Sequence, residues 1–205
     1  MQILELFPTA VGVVDCPDFA EHGPAWRAEV VEAVRERSER TGRTQRQTDD
    51  RLHERPQMKA AVAFLERSCR EYLAGLGYGP QLELRLQCCW ATVGTRGDHL
   101  NLHTHPNAFL SGAFYLAADE TMESIVFRDP RVQNRLLDLP VERTSRINRP
   151  HFAVAPAAGR LLVFPSWLEH RVPARRGADP RISLSFNMTV HGPVGSADRF
   201  SRATL

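Results

Sequence analysis

The sequence has no uninterrupted apolar run that approaches the roughly 18 residues a membrane helix needs. Its first basic residue is Arg27, and Glu5 and Pro8 interrupt the apolar start, so we expect no signal peptide. The cysteines have neither disulfide nor zinc-site spacing. They are Cys16, Cys69, Cys88 and Cys89. These absences favour a reducing cytoplasm as the compartment.

The chain also lacks a large excess of charge of either sign. Its formal net charge is only +2, and no basic stripe with interleaved aromatic residues occurs. We therefore expect neither a nucleic-acid partner nor binding to a membrane surface. With 205 residues the chain is long enough for one sizeable core. The expectation is a single domain over 1–205, in which 1–80 supplies N-terminal strands and helices and 82–191 the core that carries the site.

Two helices are predicted before residue 80. Pro24 and Gly42 delimit the first, and Pro56 and Gly77 delimit the second, following the preference for proline at a helix start and glycine after its end. Each carries an apolar stripe at helical spacing, which has to be buried against another layer. We expect both helices to pack on the outside of the β core.

The segments around these helices are assigned by their composition. Residues 2–7 and 11–15 are apolar, lie on either side of Pro8 and predict two short strands at a sheet edge. The linker 44–55 is polar, and we expect it to be exposed.

From Leu82 onward the hydrophobic period changes from helical to alternating. Eight strands are predicted, separated by Gly, Pro, Asp and Asn. They cover 82–93, 99–105, 108–117, 124–128, 151–155, 160–165, 168–173 and 181–191. This pattern predicts a double-stranded β-helix, or jelly-roll barrel. The polar, Arg-rich stretch 130–150 predicts a long excursion over the mouth of the barrel, and the tail after Gly192 a loosely held extension.

The stretch DHLNLHTHPN, residues 98–107, concentrates three of the eight histidines of the chain. In a strand, Leu100 and Leu102 face one side, and Asn101, His103 and His105 face the other. Histidines two residues apart near a strand end point the same way and suit one shared cation. The alternative is the polar outer face of an antiparallel strand.

A second polar set follows downstream. His170 lies after a buried-looking strand in GRLLVFPSWLEHRV, and RISLSFN then alternates polar with apolar residues. If the apolar face packs on the helices, the polar face lines the barrel interior. That polar face consists of Arg181, Ser183, Ser185 and Asn187. Tyr115 shares a strand face with Ser111 and Ala113, so it points into the same cavity or forms barrel wall. Trp90 and Trp167 are expected in the core or pocket wall.

Together these motifs resemble the iron(II)- and 2-oxoglutarate-dependent dioxygenases. Members of that superfamily carry a His-x-acid pair on an early strand, a distal His on a late strand and an Arg-x-Ser about ten residues later. Here His103-x-His105, His170 and Arg181-x-Ser183 follow that order. More narrowly, HTHPNAFLSGAFYL, FRDPR and FPSWLEHRV are similar to a little-characterised bacterial family of 2-oxoglutarate oxygenases.

The chain departs from the superfamily pattern at one position, because His105 stands where the pattern has Asp or Glu. In one register His103, His105 and His170 are the metal ligands, which suits iron because imidazole binds it better than an amide does. In the other register His105 is the first ligand, Asn107 takes the place of the acid, and His103 is an outer group. We prefer the first.

The resemblance implies Fe(II) and 2-oxoglutarate as cofactors, molecular oxygen as co-reactant, and hydroxylation as the reaction. Arg181 and Ser183 would hold the far carboxylate of 2-oxoglutarate, with Tyr115 in the same cavity, and no catalytic residue is expected apart from the metal ligands. Two alternatives remain: a cupin-like metalloprotein that does not use 2-oxoglutarate, and a non-catalytic ligand-binding jelly roll. The sequence leaves open the substrate, small molecule or peptide, and whether the protein forms a homodimer.

Overall fold

The computed structural model describes residues 1–131, 136, 139–195, 198 and 201–205. Two helices precede the barrel: α1 (Phe19–Thr41) and α2 (Lys59–Gly75). Two short 3-10 helices, Leu52–Glu54 and Pro56–Met58, lie between them. The strands are β1 (Gly12–Asp15), β2 (Glu83–Gly94), β3 (Leu100–His103), β4 (Leu110–Ala117), β5 (Ile125–Arg128), β6 (His151–Val154), β7 (Arg160–Pro165), β8 (His170–Val172), β9 (Arg181–His191), β10 (Pro193–Val194) and β11 (Ala203–Thr204).

Strands β1 to β9 form two facing antiparallel sheets. The major sheet has the order β1-β7-β4-β9-β2, and the minor sheet has the order β3-β8-β5-β6. Strands consecutive in the chain thus alternate between the sheets for much of the barrel, as a double-stranded β-helix requires. The predicted fold class is confirmed, and each of the eight strands predicted between 82 and 191 is present with ends shifted by at most a few residues.

The helices pack on the outer face of the major sheet, as predicted. The apolar side chains of β9, Ile182, Leu184, Phe186 and Met188, share one core cluster with residues of α1 and α2. Phe114 of β4 lies at the centre of this layer, fully buried, with its ring centroid 5.8 Å from that of Trp26 and 5.3 Å from that of Phe64. Burial of these faces leaves the polar face of β9 directed into the barrel.

The prediction of a strand over 2–7 was wrong. No strand is formed there; β1 begins only at Gly12. Phe7 has a φ of 57°, in the left-handed region, which interrupts an extended backbone. Ile3, Leu4 and Leu6 remain exposed, because this segment follows an open cleft instead of joining a sheet.

Helix α1 begins one turn earlier than predicted. Its first residue is Phe19, and Asp18 accepts backbone hydrogen bonds from Glu21 and His22. The ring of Phe19 packs against those of Trp26 and Phe114, with centroid distances of 6.2 and 6.0 Å. Tertiary packing therefore extends the helix past the proline that marks its predicted start. Its end at the left-handed Gly42 is as predicted.

The linker 44–55 is less exposed than predicted. Thr48 is buried, its N–H donates to the carbonyl of Ala91, and its hydroxyl accepts from the Ala91 N–H. Gln47 also forms an isolated antiparallel β-bridge with Thr92 of β2. Strand β2 is the last strand of the major sheet, so its free backbone groups need partners, and the linker supplies them.

The predicted excursion and tail are described only in part. Residues 132–135 and 137–138 of the excursion lie outside the described residues, as do 196–197 and 199–200 of the tail. In the tail, β10 pairs with β11, and the backbone of Gly192 exchanges two hydrogen bonds with that of Leu205. The end of the chain is thus tied back instead of forming the loose extension predicted. Among the described residues no helix is long and apolar enough to cross a membrane.

Candidate active site

The histidines predicted as metal ligands come together between the two sheets. His103 ends β3, His170 begins β8, and the two are register partners. His105 lies two residues beyond β3. One ring nitrogen from each of the three falls within 4.8 Å of the others. The Nε2 atoms of His105 and His170 are only 3.3 Å apart, close enough for both nitrogens to meet one cation.

Backbone carbonyls orient two of the rings. The Nδ1 atom of His103 lies 2.7 Å from the carbonyl oxygen of Asn101, and the Nδ1 atom of His170 lies 2.9 Å from that of Leu168. In each case the carbonyl fixes the proton on Nδ1 and leaves the Nε2 lone pair free. This is the arrangement that histidine ligands of metals commonly adopt.

His105 is held in place by other means, since it lies outside the strand. Its backbone N–H donates to the carbonyl of Ser166 over 2.9 Å. Its ring stacks on Trp90 at a centroid distance of 5.9 Å and lies nearly parallel to the ring of His170, 5.2 Å away. Trp90 therefore forms one wall of the site, as predicted.

Burial keeps the two inner imidazoles neutral. It lowers the pKa of His170 to about 4 and also lowers that of His105, because desolvation penalises the charged ring. The neighbouring histidines add to the effect in both cases. Neutral imidazole is the metal-binding form, so burial favours the form of His105 and His170 that can bind a cation. No Asp, Glu or Cys of the described residues joins this group.

The three histidines line a cavity of about 280 Å³ inside the barrel. The residues predicted to hold 2-oxoglutarate, Arg181, Ser183 and Tyr115, line it as well. Its remaining lining residues are Gln47, Trp90, Thr92, Gly94, Asp98, His99, Leu100, Gly112, Ala113, Ile125, Phe164, Val172 and Ser185. One enclosed space therefore contains a group of nitrogen donors and a cationic side chain.

Arg181 is buried, with 8% of its surface exposed, and burial lowers its pKa. Its Nη1 donates to the backbone carbonyl of Glu123 over 3.1 Å. The Glu123 carboxylate lies elsewhere: it pairs with Arg175 at 3.1 Å and accepts from the Arg176 N–H. In the part of the chain that the structure describes, Arg181 makes no ion pair within 4 Å.

Glu123 and Arg175 were not singled out from the sequence. They are 52 residues apart in the chain, and neither lies in a motif, so no local pattern identifies them. Their ion pair is almost completely buried, with side-chain exposures of 10% and 6%. Since the Arg175 guanidinium holds the Glu123 carboxylate, the Glu123 carbonyl is fixed in place to receive Arg181.

Tyr115 contributes to both the wall and the interior of the cavity. It is the register partner of Ser183 on the neighbouring strand and is 3% exposed. Burial raises the pKa of its hydroxyl to about 12. The group is therefore neutral at physiological pH and is available as a hydrogen-bond donor.

Two predicted positions lie away from the cavity. Asn107 is exposed, occupies a turn with a φ of 62°, and does not line the cavity. Trp167 is 56% exposed, so its assignment to core or pocket wall was wrong. Trp167 lies in the turn between β7 and β8. Backbone carbonyls of this turn bond His105 and His170, whereas the Trp167 side chain points to solvent.

A larger cleft of about 830 Å³ opens elsewhere, between the N-terminal segment 3–13 and the residues around Arg128–Arg131 and Arg146–Val154. None of the three histidines lines it, and neither does Arg181. Phe127 and Leu168 separate it from His170. We take the smaller cavity as the candidate site because it holds both the three histidines and the buried Arg181. Cavity size was not the criterion.

Comparison with known proteins agrees with this geometry. Residues 88–187 match a family described as "Putative 2OG-Fe(II) oxygenase". That segment runs from Cys88 within β2 to Asn187 within β9 and contains the three histidines, Arg181, Ser183 and Tyr115. No curated protein matches the chain.

Several solved structures share the fold. HygX from Streptomyces hygroscopicus, with nickel and 2-oxoglutarate bound, is 15% identical, and the match covers 88% of this chain and 82% of HygX with a TM-score of 0.59. SnoN, a non-heme alpha-ketoglutarate-dependent epimerase from nogalamycin biosynthesis, is 16% identical over 88% of this chain and 76% of its own, with a TM-score of 0.62. A prolyl-4-hydroxylase from Pseudomonas putida is 18% identical over 90% and 89%, with a TM-score of 0.54.

The fold and the donor group together define the class of this protein as a jelly-roll barrel with a cluster of three histidines that can hold a metal ion. Residues 88–187 of the barrel are similar to the 2OG-Fe(II) oxygenases, which confirms the resemblance that the sequence motifs predicted. At 15–18% identity these solved structures establish the fold and leave the substrate to be argued from this chain alone.

Proposed function

We propose that this protein is an Fe(II)- and 2-oxoglutarate-dependent oxygenase that hydroxylates its substrate. His103, His105 and His170 are the iron ligands, and Arg181, Ser183 and Tyr115 hold 2-oxoglutarate. The observation that carries the proposal is the enclosure, in one cavity, of three clustered imidazoles and a buried arginine without an ion-pair partner among the described residues.

The donor set suits the metal. Imidazole nitrogen is a good ligand for Fe(II), and three neutral donors on one side leave positions for a chelating cosubstrate and for oxygen. The bound iron and cosubstrate supply the oxidising chemistry. The contribution of the protein is to keep His105 and His170 neutral and to orient His103 and His170 through their Nδ1 protons.

Arg181 supplies the charge that a dicarboxylate needs. A buried guanidinium is costly unless an anion meets it, and in this cavity the nearby Ser183 and Tyr115 offer only neutral groups. The planar fork of arginine matches a carboxylate bidentately. A dicarboxylate that reaches from the histidines to Arg181 would satisfy both the metal and the cation, which supports 2-oxoglutarate over a ligand with one acidic group.

The size of the cavity limits the substrate. Its volume of about 280 Å³ is at the lower end of the range for small-molecule pockets, and 2-oxoglutarate would fill part of it. Only a compact group of the substrate can therefore enter. We propose that the substrate presents such a group, a side chain or a small substituent, between the edges of β2 and β3, past Gln47, Asp98 and His99.

We also propose that the chain forms one domain and acts in the cytoplasm. The first proposal is supported by the core cluster shared by the helices and the major sheet. The second is supported by the four free cysteines, all fully or partly buried.

The test is anaerobic titration of the iron-loaded protein with 2-oxoglutarate, followed by measurement of succinate after oxygen is admitted. We expect a weak visible charge-transfer band on chelation and slow succinate formation that candidate amino acids, peptides or metabolites accelerate. Iron binding without any response to 2-oxoglutarate would instead indicate a cupin-like metalloprotein. Absence of iron binding would remove the metal-site proposal altogether.

A further inference from the structure

Two buried arginines, Arg175 and Arg181, both contact Glu123 but differ in how their charge is met. Arg175 pairs with the Glu123 carboxylate at 3.1 Å, and both side chains are almost completely buried. Arg181 instead donates to the Glu123 backbone carbonyl, over 3.1 Å. Arg181 lines the cavity, whereas Arg175 and Glu123 do not. A neutralised pair outside the cavity thus adjoins a guanidinium inside it whose charge no described carboxylate meets within 4 Å.

We propose that Glu123 and Arg175 are positioning residues for Arg181, and that they set the preference of the site for 2-oxoglutarate over 2-oxo acids without a far carboxylate. This inference rests on the proposed function, because it concerns how Arg181 holds the cosubstrate. A guanidinium binds a carboxylate bidentately only when its planar fork is correctly oriented. The gain from Arg181 therefore depends on what fixes its side chain.

Glu123 lies in the loop between β4 and β5, and both oxygens of its carboxylate anchor it to the loop between β8 and β9. Oε2 accepts from Nη1 of Arg175 over 3.1 Å, and Oε1 accepts from the Arg176 N–H over 2.8 Å. The backbone carbonyl of the same residue accepts from Arg181. Because one residue carries both the anchor and the acceptor, the position of that carbonyl relative to β9 depends on the ion pair.

Arg175 is itself a fixed point. Its Nε and Nη2 donate to the carbonyl of Asp179 over 3.2 and 2.8 Å, and its Nη1 donates to Glu123. Its backbone is held as well: the N–H donates to the carbonyl of Asp98 over 2.9 Å, and the carbonyl accepts from the Gly97 N–H over 2.8 Å. The guanidinium is thus fully engaged outside the cavity, and the ion pair ties Glu123 to it.

Loss of the ion pair should disturb the orientation of Arg181 and leave its charge in place. Without the Glu123 carboxylate, the Arg175 charge is buried and unpaired, which is costly. The β8–β9 loop has to move to hydrate that charge or to find it another partner. Arg181 is the first residue after this loop, so its side chain loses both a fixed base and a fixed acceptor.

Two ligands that differ only in the far carboxylate provide the test: 2-oxoglutarate and 2-oxobutyrate. The iron-loaded, oxygen-free protein is titrated with each, and the visible charge-transfer band of the chelate is followed. Glu123→Gln, which removes the charge with little change in size, should weaken 2-oxoglutarate binding by roughly fivefold to fiftyfold. It should change the affinity for 2-oxobutyrate by less than about twofold, because that ligand has no carboxylate for Arg181 to hold.

Glu29→Gln is the matched control for loss of a buried carboxylate. The side chain of Glu29 is 11% exposed, against 10% for Glu123, and it pairs with Arg55 at 2.7 Å. Glu29 lies on α1, outside the barrel, so its variant should bind both ligands like wild type. If Glu123→Gln does not fold, Glu123→Leu combined with Arg175→Met removes both charges and should show the same selective loss.

A double variant tests whether Glu123 acts through Arg181. Glu123→Gln in the Arg181→Ala background should not weaken 2-oxoglutarate binding beyond Arg181→Ala alone, since a positioning residue has no effect once its target is absent. A purely structural role would instead give additive losses. Additive losses, equal losses for both ligands, or wild-type 2-oxoglutarate affinity in the folded Glu123 variant would each overturn the positioning role.

The wild-type protein separates this inference from the proposed function. Tighter binding of 2-oxoglutarate than of 2-oxobutyrate, with the preference lost in Arg181→Ala, would support the cosubstrate assignment whatever the Glu123 variants show. Wild-type protein that binds iron but has no preference for 2-oxoglutarate would overturn the role of Arg181, and this inference with it.

Discussion

His105 and His170 place their Nε2 atoms 3.3 Å apart although 65 residues separate them in the chain. Neither is in the middle of a strand: one follows β3 and the other begins β8. The backbone of the turn before β8 connects them, since the Ser166 carbonyl accepts from the His105 N–H and the Leu168 carbonyl faces Nδ1 of His170. A single turn thus sets the position of two predicted ligands.

Alanine variants decide which residues bind the metal. His105→Ala and His170→Ala should each abolish stoichiometric iron binding, because each removes one of three nitrogen donors. Asn107→Ala should bind iron like wild type, since Asn107 is exposed and outside the cavity. Metal content is measured after anaerobic loading and gel filtration, with circular dichroism as the control for folding. Full occupancy in His170→Ala would refute the ligand assignment, and loss in Asn107→Ala would favour the other register.

Arg181 separates a 2-oxoglutarate enzyme from a metalloprotein that does not use this cosubstrate. Arg181→Lys should weaken 2-oxoglutarate binding by roughly tenfold to a hundredfold, because a point charge replaces a bidentate fork. Arg181→Ala should weaken it further, and neither should change iron affinity more than about twofold. Anaerobic calorimetric titration measures both ligands. Arg176→Ala is a suitable control: its side chain is exposed and does not line the cavity. Unchanged cosubstrate affinity in Arg181→Ala would show that the arginine serves another purpose.

Phe114 tests the helix-to-sheet layer. The ring is fully buried between α1, α2 and the major sheet, so Phe114→Ala should lower the free energy of unfolding by about 3–5 kcal/mol. The exposed Val31 on α1 provides the control, and Val31→Ala should cost at most about 0.5 kcal/mol. Denaturant unfolding followed by far-UV circular dichroism and by tryptophan fluorescence should give coincident transitions. Two separate transitions would contradict the proposal of one domain.

The thiols should differ strongly in reactivity. Burial raises the pKa of Cys69 and of Cys89 to about 12, so at pH 8 only roughly one in ten thousand of either is thiolate. Since the shift is upward, raising the pH towards 9 should still leave both unreactive in the native protein. Cys88, which is partly exposed, should react first with a thiol reagent. Mass spectrometry of the labelled peptides identifies the sites, and Cys88→Ser should remove the fastest phase. Rapid labelling of Cys69 before unfolding would contradict the burial.

Sequence pattern alone predicted much of the barrel, for a physical reason. Strand side chains alternate between two faces, so the order of polar and apolar residues in RISLSFN already shows which side faces the helices. The same reasoning failed for 2–7, where apolar residues follow an open cleft, and for Trp167, which is exposed in a turn. In both cases the local composition is compatible with burial, but no neighbouring element covers the side chain.

The sequence by itself determined the fold class, the strand order along the chain, and the residue types from which a metal and carboxylate site can be built. Only the tertiary structure decided that His103, His105 and His170 converge and that Arg181 is supported by Glu123 and Arg175. The reason is that periodicity reports which face of an element is buried, whereas contacts between residues 50 to 80 positions apart depend on strand register and turn geometry, which are set only when the two sheets pack together.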